Sequence, residues 1–212
     1  MSWGTIPPMP KPILWLLITI SAVLLVTMLA PLEETLGTNA RIVYFHGAWV
    51  WVAMLLFITA ALVGTGGLVT RRTILHEWSR AFGHTALLFW IAFLLMSLYV
   101  MQVNWNGIFW AEPRFRIPLN MVVIAMLLQI GLTFFPLFWT SLANIAYAVA
   151  LIYSMRTIEA ILHPISPILS SDAGGIQLFF ITLLILLAFF GFQIAHGLRS
   201  WEHTRRAQTE AG

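Results

Sequence analysis

Long apolar runs alternate with short polar segments along this chain, which is the pattern of a bundle of membrane-spanning helices. An α-helix rises about 1.5 Å per residue, so about 20 apolar residues are enough to cross the hydrocarbon layer of a bilayer. Six runs approach or exceed this length, at residues 13–30, 42–70, 82–103, 117–135, 138–155 and 176–198. The sequence therefore predicts an all-α polytopic membrane protein with six transmembrane helices, folded as a single membrane domain over residues 1–212.

The segments between the runs are short and differ in character. Residues 1–12 are rich in proline, 71–80 form a basic loop, Pro136 makes a tight turn, and a charged tail follows the sixth run. The first run could be the apolar core of a signal peptide. Cleavage after Ala30 would leave Pro31 at the new terminus, which favours a retained helix. The sequence Asp172-Ala-Gly-Gly predicts a turn that enters the sixth helix.

Composition supports a membrane protein and excludes several kinds of site. The chain is 60% hydrophobic and only 9% charged, whereas a soluble domain carries about 25% charged residues. The net charge of +3 comes from a few basic residues near helix ends, so it indicates a lipid bilayer as partner and no nucleic acid. Because the chain has no cysteine, it cannot form disulfides, thiolate metal sites, iron–sulfur clusters or covalent haem links.

The basic residues also predict an orientation in the membrane. Six spans place both termini on one side, together with Lys11, Arg71, Arg72, Arg80, Arg199, Arg205 and Arg206; the other side has Arg41, Arg114, Arg116 and Arg156. Cytoplasmic loops are enriched in Lys and Arg, so we expect both termini to be cytoplasmic. The segments 31–41, 104–116 and 156–175 then share the outer face.

The segment 104–116, which we call the Trp loop, is the most distinctive polar interruption. It combines aromatic rings with an acid and two cations: Trp105, Phe109, Trp110, Glu112, Arg114 and Arg116. At a membrane face such a loop would present a flat aromatic surface with cations at its rim. That surface suits a planar, apolar ligand with acidic groups.

Four of the six histidines are candidate ligands. His46 lies about one turn inside the second span and His163 precedes the sixth, so the topology places both at the face of the Trp loop. Two neutral imidazoles on opposite sides of an aromatic slab suit axial ligation of haem iron, with Arg41, Arg114 or Arg116 pairing its propionates. Each histidine taken alone is more often an interfacial hydrogen-bonding residue.

His84 and His196 form a second possible pair, near the cytoplasmic ends of the third and sixth spans. Ionisable groups within spans are costly and are functional candidates, so a b-type haem in the inner leaflet is conceivable. Snorkelling of both side chains toward the interface is the alternative. His76 and His203 lie in charged segments, where we expect them to be solvated.

The remaining polar residues predict structure rather than chemistry. We expect Glu112 to pair with Arg114 or to orient a ligand, and a paired-carboxylate site with Glu159 would need geometry that the sequence does not provide. Gly64 and Gly67 predict close helix packing. Four amide side chains are candidates for hydrogen bonds between helices: Gln102, Asn104, Asn106 and Asn144. The chain has no phosphate-binding loop, nucleophile elbow or zinc-helix motif, and we predict no catalytic constellation and no enzymatic activity.

These residues resemble a known family, the cytochrome c assembly proteins of the CcmC/CcsA type, which handle haem in membranes. Arg41-Ile-Val-Tyr-Phe-His46 is similar to the segment that holds the family's first axial histidine, and Tyr153-Ser154 with His163 resembles the segment of the second. Gly107-Ile-Phe-Trp-Ala-Glu-Pro-Arg114 resembles the family's tryptophan-rich WWD signature. Its acid is Glu112, one residue further from Trp110 than in the family. The six-helix layout is similar to the CcmC branch.

The resemblance implies a function, a cofactor and partners. The protein would hold haem b non-covalently at the outer face, with His46 and His163 as axial ligands against the Trp loop. It would present haem to a haem chaperone or apocytochrome c, beside ABC-type transporter subunits or small membrane proteins. The membrane would be a prokaryotic cytoplasmic membrane or an equivalent organelle inner membrane. The alternatives are a haem-b anchor subunit that uses His84 and His196, and a permease-like ABC transporter partner without haem.

Overall fold

The computed structural model describes residues 11–158, 168 and 173–211, without the side chains of 206, 207 and 209–211. Its α-helices are α1 (Lys11–Met28), α2 (Ala40–Thr70), α3 (Thr73–Trp105), α4 (Pro113–Gly131), α5 (Leu137–Arg156) and α6 (Gly174–Ala211). A short 3₁₀ turn, Leu132–Phe134, follows α4. All six α-helices are long and apolar enough to cross a membrane, so the prediction of an all-α, multi-pass membrane protein is confirmed in these ranges.

The helical form of these segments follows from the properties of a bilayer. Hydrocarbon offers no partner for backbone N–H and C=O groups, so each spanning segment must bond them internally as a helix. The hydroxyl groups inside the helices are satisfied in the same way. Thr85 Oγ1 donates to Ala81 O at 2.8 Å, and Ser97 Oγ donates to Phe93 O at 2.8 Å. Polar side chains of this kind therefore do not interrupt α3.

Three predicted boundaries are wrong. α3 begins at Thr73, so the predicted basic loop at 71–80 is reduced to a turn at Arg71 and Arg72. α6 continues to Ala211 rather than ending near 198 in a charged tail. In both places the charged side chains pair across the helix interface, which allows the helices to continue. α4 begins at Pro113 instead of 117, because proline is well suited to the first position of a helix.

Close packing of α2 against α3 and α5 is confirmed at the two glycines that predicted it. A Cβ atom on Gly64 would lie 2.8 Å from Ser79 Oγ, and one on Gly67 would lie 2.9 Å from the His76 ring. Both distances are shorter than real Cβ contacts. These glycines therefore set the distance between the helices in this part of the bundle.

The bundle has two ends, the Trp-loop end and the hairpin end. The Trp-loop end comprises the Trp loop, the first turns of α2 and α4, and the last turns of α3. The hairpin end comprises the Arg71–Arg72 turn, the α4–α5 turn at Pro136, and the C-terminal part of α6. Between them lies an apolar core in which Phe57, Phe89 and Trp90 are fully buried. The predicted turn before the sixth helix agrees with the start of α6 at Gly174; Asp172 itself lies outside the described residues.

Candidate functional site

His46 lies in the second turn of α2 and packs against α3. Its ring is 5.1 Å from the ring of Phe93, centroid to centroid, at an interplanar angle of 32°. One turn further along α2, Trp49 stacks on Phe89 at 4.5 Å and donates Nε1–H to the carbonyl oxygen of the same residue at 2.9 Å. The imidazole is half-buried at the end of an aromatic seam between α2 and α3. The sequence analysis did not identify Phe93 as its neighbour.

The Trp loop carries its aromatic rings as perpendicular pairs. Trp105 meets Phe109 at 71° and Trp110 meets Phe115 at 69°, with ring centroids 5.9 and 5.6 Å apart. Phe109 and Trp110 are exposed, Trp110 by 61%. The expected exposed aromatic surface is present, but the expectation that it is flat is wrong. Edge-to-face contact is the favoured geometry for neighbouring aromatic rings, which is why the pairs do not form a single plane.

Glu112 is the most unusual side chain of the loop. It is only 4% exposed, and neither carboxylate oxygen has a hydrogen-bond partner within the described structure. The expected pairing with Arg114 is therefore wrong. The Glu112 backbone is well satisfied, since its carbonyl accepts from Arg116 N at 2.9 Å as α4 begins. Burying a polar group without a partner is costly, and most buried polar atoms in proteins are bonded.

The cations of this end differ in their surroundings. Arg41 and Arg114 are half-buried, whereas Arg116 is exposed. The Nε atom of Arg41 is buried and has no hydrogen-bond partner in the part of the chain that the structure describes. The predicted second ligand, His163, lies outside the described residues, as does Glu159.

The helix register shows which parts of the loop approach His46. Trp105 is twelve residues beyond Phe93 on α3, about 18 Å along the helix. α4 returns toward His46, because Trp90 Nε1 donates to Pro118 O at 3.0 Å. Measured from that bond toward the Trp-loop end, Phe93 lies about 4 Å away along α3. Glu112 lies about 9 Å away in the same direction, at the start of α4. Glu112 is therefore closer to the level of His46 than Trp105 is.

The alternative pair, His84 and His196, lies at the other end of the molecule on two sides of the α3–α6 contact. His84 Nδ1 is 3.4 Å from Glu202 Oε1. The ring of His196 packs beside Trp78, at 6.0 Å between centroids. Trp78 and His84 are six residues apart, which separates them by about 120° around α3. The two imidazoles therefore have different neighbours across the α3–α6 interface, Glu202 for His84 and Trp78 for His196.

His84 belongs to a group that we call the ion cluster: Glu77, Arg80 and His84 of α3 with Arg199 and Glu202 of α6. Arg80 pairs with Glu202, and Arg199 Nε is 3.4 Å from Glu77 Oε2. The Arg199 guanidinium also lies over the ring of Trp78, 5.0 Å from its centroid. Sequence reasoning missed this cluster because it treated both segments as irregular. The spacing of three and four residues between its members was the available signal of a helical face.

His76 is also placed differently from the prediction. It is buried at 9% exposure, and its Nδ1 lies 2.7 Å from Ser141 Oγ of α5. The prediction of a solvated His76 is wrong, because Gly67 of α2 leaves room for the ring between three helices. His203 is exposed, as predicted.

Of the four amides, Asn144 connects helices as predicted. Its Nδ2 donates to Ser79 O at 3.0 Å, and its Oδ1 accepts from Gln129 Nε2 at 3.0 Å. Asn104 instead donates to Val100 O of its own helix. Asn106, with φ of 54°, is the left-handed residue that ends α3. Gln102 is exposed. Asn144 thus links α5 to α3 and α4.

Comparison with known proteins adds no relative. A scan against models of protein families finds no match, and no curated protein matches the chain. Among the described residues, no group of three or more His, Asp or Glu side chains could hold a metal ion by itself. The functional assignment therefore depends on the chemistry of the two ends of the bundle.

Proposed function

We propose that the Trp-loop end binds haem b non-covalently, and that the protein holds this cofactor for a step of cytochrome c assembly. The observation that carries the proposal is the buried, unbonded carboxylate of Glu112. Arg41 Nε, Tyr44 Oη and Asn104 Oδ1, at the same end, are also buried and make no hydrogen bond within the described residues. Buried polar atoms are normally bonded, so these unbonded groups support a ligand with polar groups.

The residues at this end fit the donor set that haem requires. His46 is a half-buried imidazole on a rigid helix, and neutral imidazole is a common axial ligand of haem iron. Phe93 fixes one side of its ring. His163 is the second axial ligand in this proposal, on the basis of the sequence resemblance. When bound, the haem supplies the iron and the tetrapyrrole that later serve a cytochrome.

The charged residues would have two roles. Arg41, Arg114 and Arg116 would pair with the propionates, since guanidinium groups bind carboxylates by paired hydrogen bonds. Glu112 would accept the second ring N–H of an axial histidine, which is the usual partner of a buried carboxylate beside a metal-bound imidazole. Trp105, Phe109 and Trp110 would contact the apolar part of the macrocycle and exclude water.

The orientation completes the proposal. We infer that the Trp-loop end faces outward and both termini are cytoplasmic, from the distribution of Lys and Arg. The membrane would be a prokaryotic cytoplasmic membrane or an organelle equivalent. The acceptor would be a haem chaperone or apocytochrome c, with ABC-type subunits or small membrane proteins as further partners. The protein would transfer an intact cofactor, so no covalent step is assigned to its own residues.

The alternatives have less structural support. A haem-b anchor would require His84 and His196 on one haem, whereas His84 lies beside the Glu202 carboxylate and His196 packs beside Trp78. The test below also covers the other alternative, because a permease-like ABC transporter partner without haem would show no Soret band.

The test is the optical spectrum of protein purified in detergent from cells supplied with haem. We expect a Soret band in the wild type that is lost in His46→Ala and in His163→Ala. It should persist in His203→Ala, a matched control because His203 is exposed. A wild type without a Soret band, after haem is added back in vitro, would refute haem binding. A band that depends only on His84 or His196 would move the haem to the other end.

A further inference from the structure

The turn between α4 and α5 exposes aromatic residues without any nearby charge in sequence. Phe134 is 84% exposed and Phe135 is 58% exposed, and Phe138 and Trp139 are also exposed. We call these four residues the aromatic turn. No charged residue occurs between Arg116 and Arg156. A polar turn is the usual connection between helices in water, so this turn is not built for a fully aqueous environment.

The hydrogen bonds of α5 fix the level of the aromatic turn relative to the ion cluster. His76 bonds with Ser141, and Ser79 O accepts from Asn144, so α5 runs parallel to α3 over this stretch. Asn144 is therefore level with Ser79, the residue before Arg80 of the ion cluster. Phe138 precedes Asn144 by six residues, about 9 Å along α5, and Phe134 and Phe135 lie before the start of α5 at Leu137. The aromatic turn thus begins about 9 Å beyond the level of Ser79, toward the Arg71–Arg72 turn.

This offset forces a choice about depth in the membrane. The hydrocarbon layer is about 30 Å thick, so an offset of about 9 Å is close to a third of it. If the ion cluster marked the membrane surface, the aromatic turn would extend well into water. If the aromatic turn marks the surface, the ion cluster lies within the apolar layer.

The bonding of the two groups decides between these placements. In the ion cluster two guanidinium groups face two carboxylates, and the side chains of Arg80 and Glu202 are only 17% and 16% exposed. Paired charges of this kind are the form in which ionisable residues occur within membranes. The apolar surface of the aromatic turn would have no such partner in water, since Phe134 and Phe135 are more than half exposed and Phe138 and Trp139 are more than 40% exposed. Aromatic side chains are enriched at the membrane–water interface.

We propose that the aromatic turn docks into the membrane–water interface of the lipid bilayer. The ion cluster then lies inside the apolar layer, as a compensated intramembrane group. The neighbouring Arg71 and Arg72, both exposed, reach the lipid headgroups at the same level. This placement does not depend on haem, and it follows from the register of α3 and α5.

Single-cysteine labelling tests the placement, and the chain has no native cysteine to interfere. F134C and, as control, E34C in the exposed polar segment between α1 and α2 are labelled with nitrobenzoxadiazole in phosphatidylcholine–phosphatidylglycerol vesicles. Quenching is compared for nitroxide attached to the lipid chain and for iodide present in the water on both sides of the vesicle membrane. We expect F134C to be quenched several-fold more by the lipid nitroxide than E34C, and several-fold less by iodide. F138C should behave like F134C.

Each other outcome contradicts the proposal. Strong iodide quenching of F134C, equal to that of E34C, would place the turn in water and the ion cluster at the surface. Protection of F134C from both quenchers would show that another protein or a second copy of the chain covers the turn. Because Phe134 is largely exposed, its replacement removes no packing, and a loss of folding in both F134C and F138C would show that the turn is not a lipid-facing surface.

Discussion

Gly67 offers a sharp test of the packing between α2 and α3. In Gly67→Ala the new Cβ would lie 2.9 Å from both Cε1 and Nδ1 of the His76 ring. The ring cannot move away freely, because its Nδ1 bonds with Ser141 Oγ at 2.7 Å. One added methyl group therefore has to displace a buried ring or separate two helices.

The matched control is the neighbouring glycine. A Cβ on Gly66 would meet only Leu75 Cδ1, at 3.5 Å, which is an ordinary contact. Overpacking in a core costs about 1–3 kcal/mol, whereas replacing glycine by alanine within a helix gains about 0.5–1 kcal/mol. We expect Gly67→Ala to lower the free energy of unfolding by about 1–2 kcal/mol and Gly66→Ala to leave it unchanged or raise it.

The assay is thermal or denaturant unfolding in detergent, followed by tryptophan fluorescence. The double variant Gly67→Ala/His76→Ala adds a direct check, because removing the ring creates space for the methyl group. Its destabilisation should be smaller than the sum of the two single effects, which is how contacting residues behave. If Gly67→Ala is as stable as Gly66→Ala, or if the effects of Gly67→Ala and His76→Ala add, the contact is not as described.

Three further variants test other contacts. Glu202→Gln should cost about 2–3 kcal/mol, because it leaves Arg80 partly buried without an anion; unfolding in detergent measures this. Asn144→Ala should cost about 1–3 kcal/mol in the same assay, because it leaves the buried partners in α3 and α4 without their hydrogen bonds. At the same end of the bundle as the Trp loop, the backbone N–H of Leu36 donates a hydrogen bond to the Glu33 carboxylate. This bond is the main reason that the pKa of Glu33 lies below its usual 4.5. The turn should therefore be intact at neutral pH and weaken as pH falls through that lowered pKa. A fall in the protection factor of the Leu36 amide on acidification, measured against the intrinsic exchange rate at each pH and absent in Glu33→Gln, checks this.

The controls for these variants are exposed residues of the same type. Glu34→Gln and Asn120→Ala should leave stability unchanged, because both side chains lie at the surface. Equal stability of Glu202→Gln and Glu34→Gln would contradict the pairing in the ion cluster. A similar comparison between Asn144→Ala and Asn120→Ala tests the polar connection to α3 and α4. An exchange rate at Leu36 that does not depend on Glu33 would exclude the proposed turn bond.

The sequence was sufficient for the six helices and for the close approach at Gly64 and Gly67. A bilayer leaves a long apolar segment no stable alternative to a helix, so run length alone determined the architecture. Two glycines three residues apart on one helix face were also sufficient, since only a small residue permits that approach. The aromatic, exposed character of the Trp loop followed from its composition in the same way.

Tertiary structure alone decided which polar residues are paired, and thereby the true ends of α3 and α6. Arg80 and Glu202 are far apart in the sequence, and each looks like a residue of a solvated segment until the other neutralises it. His76 is buried only because Gly67 and Ser141 arrive from two other helices. Glu112 is buried without a bond to its expected partner Arg114. Its burial depends on neighbours contributed by distant parts of the chain, which the local sequence does not show. Hydropathy measures one residue at a time, whereas the cost of a charge depends on what lies beside it.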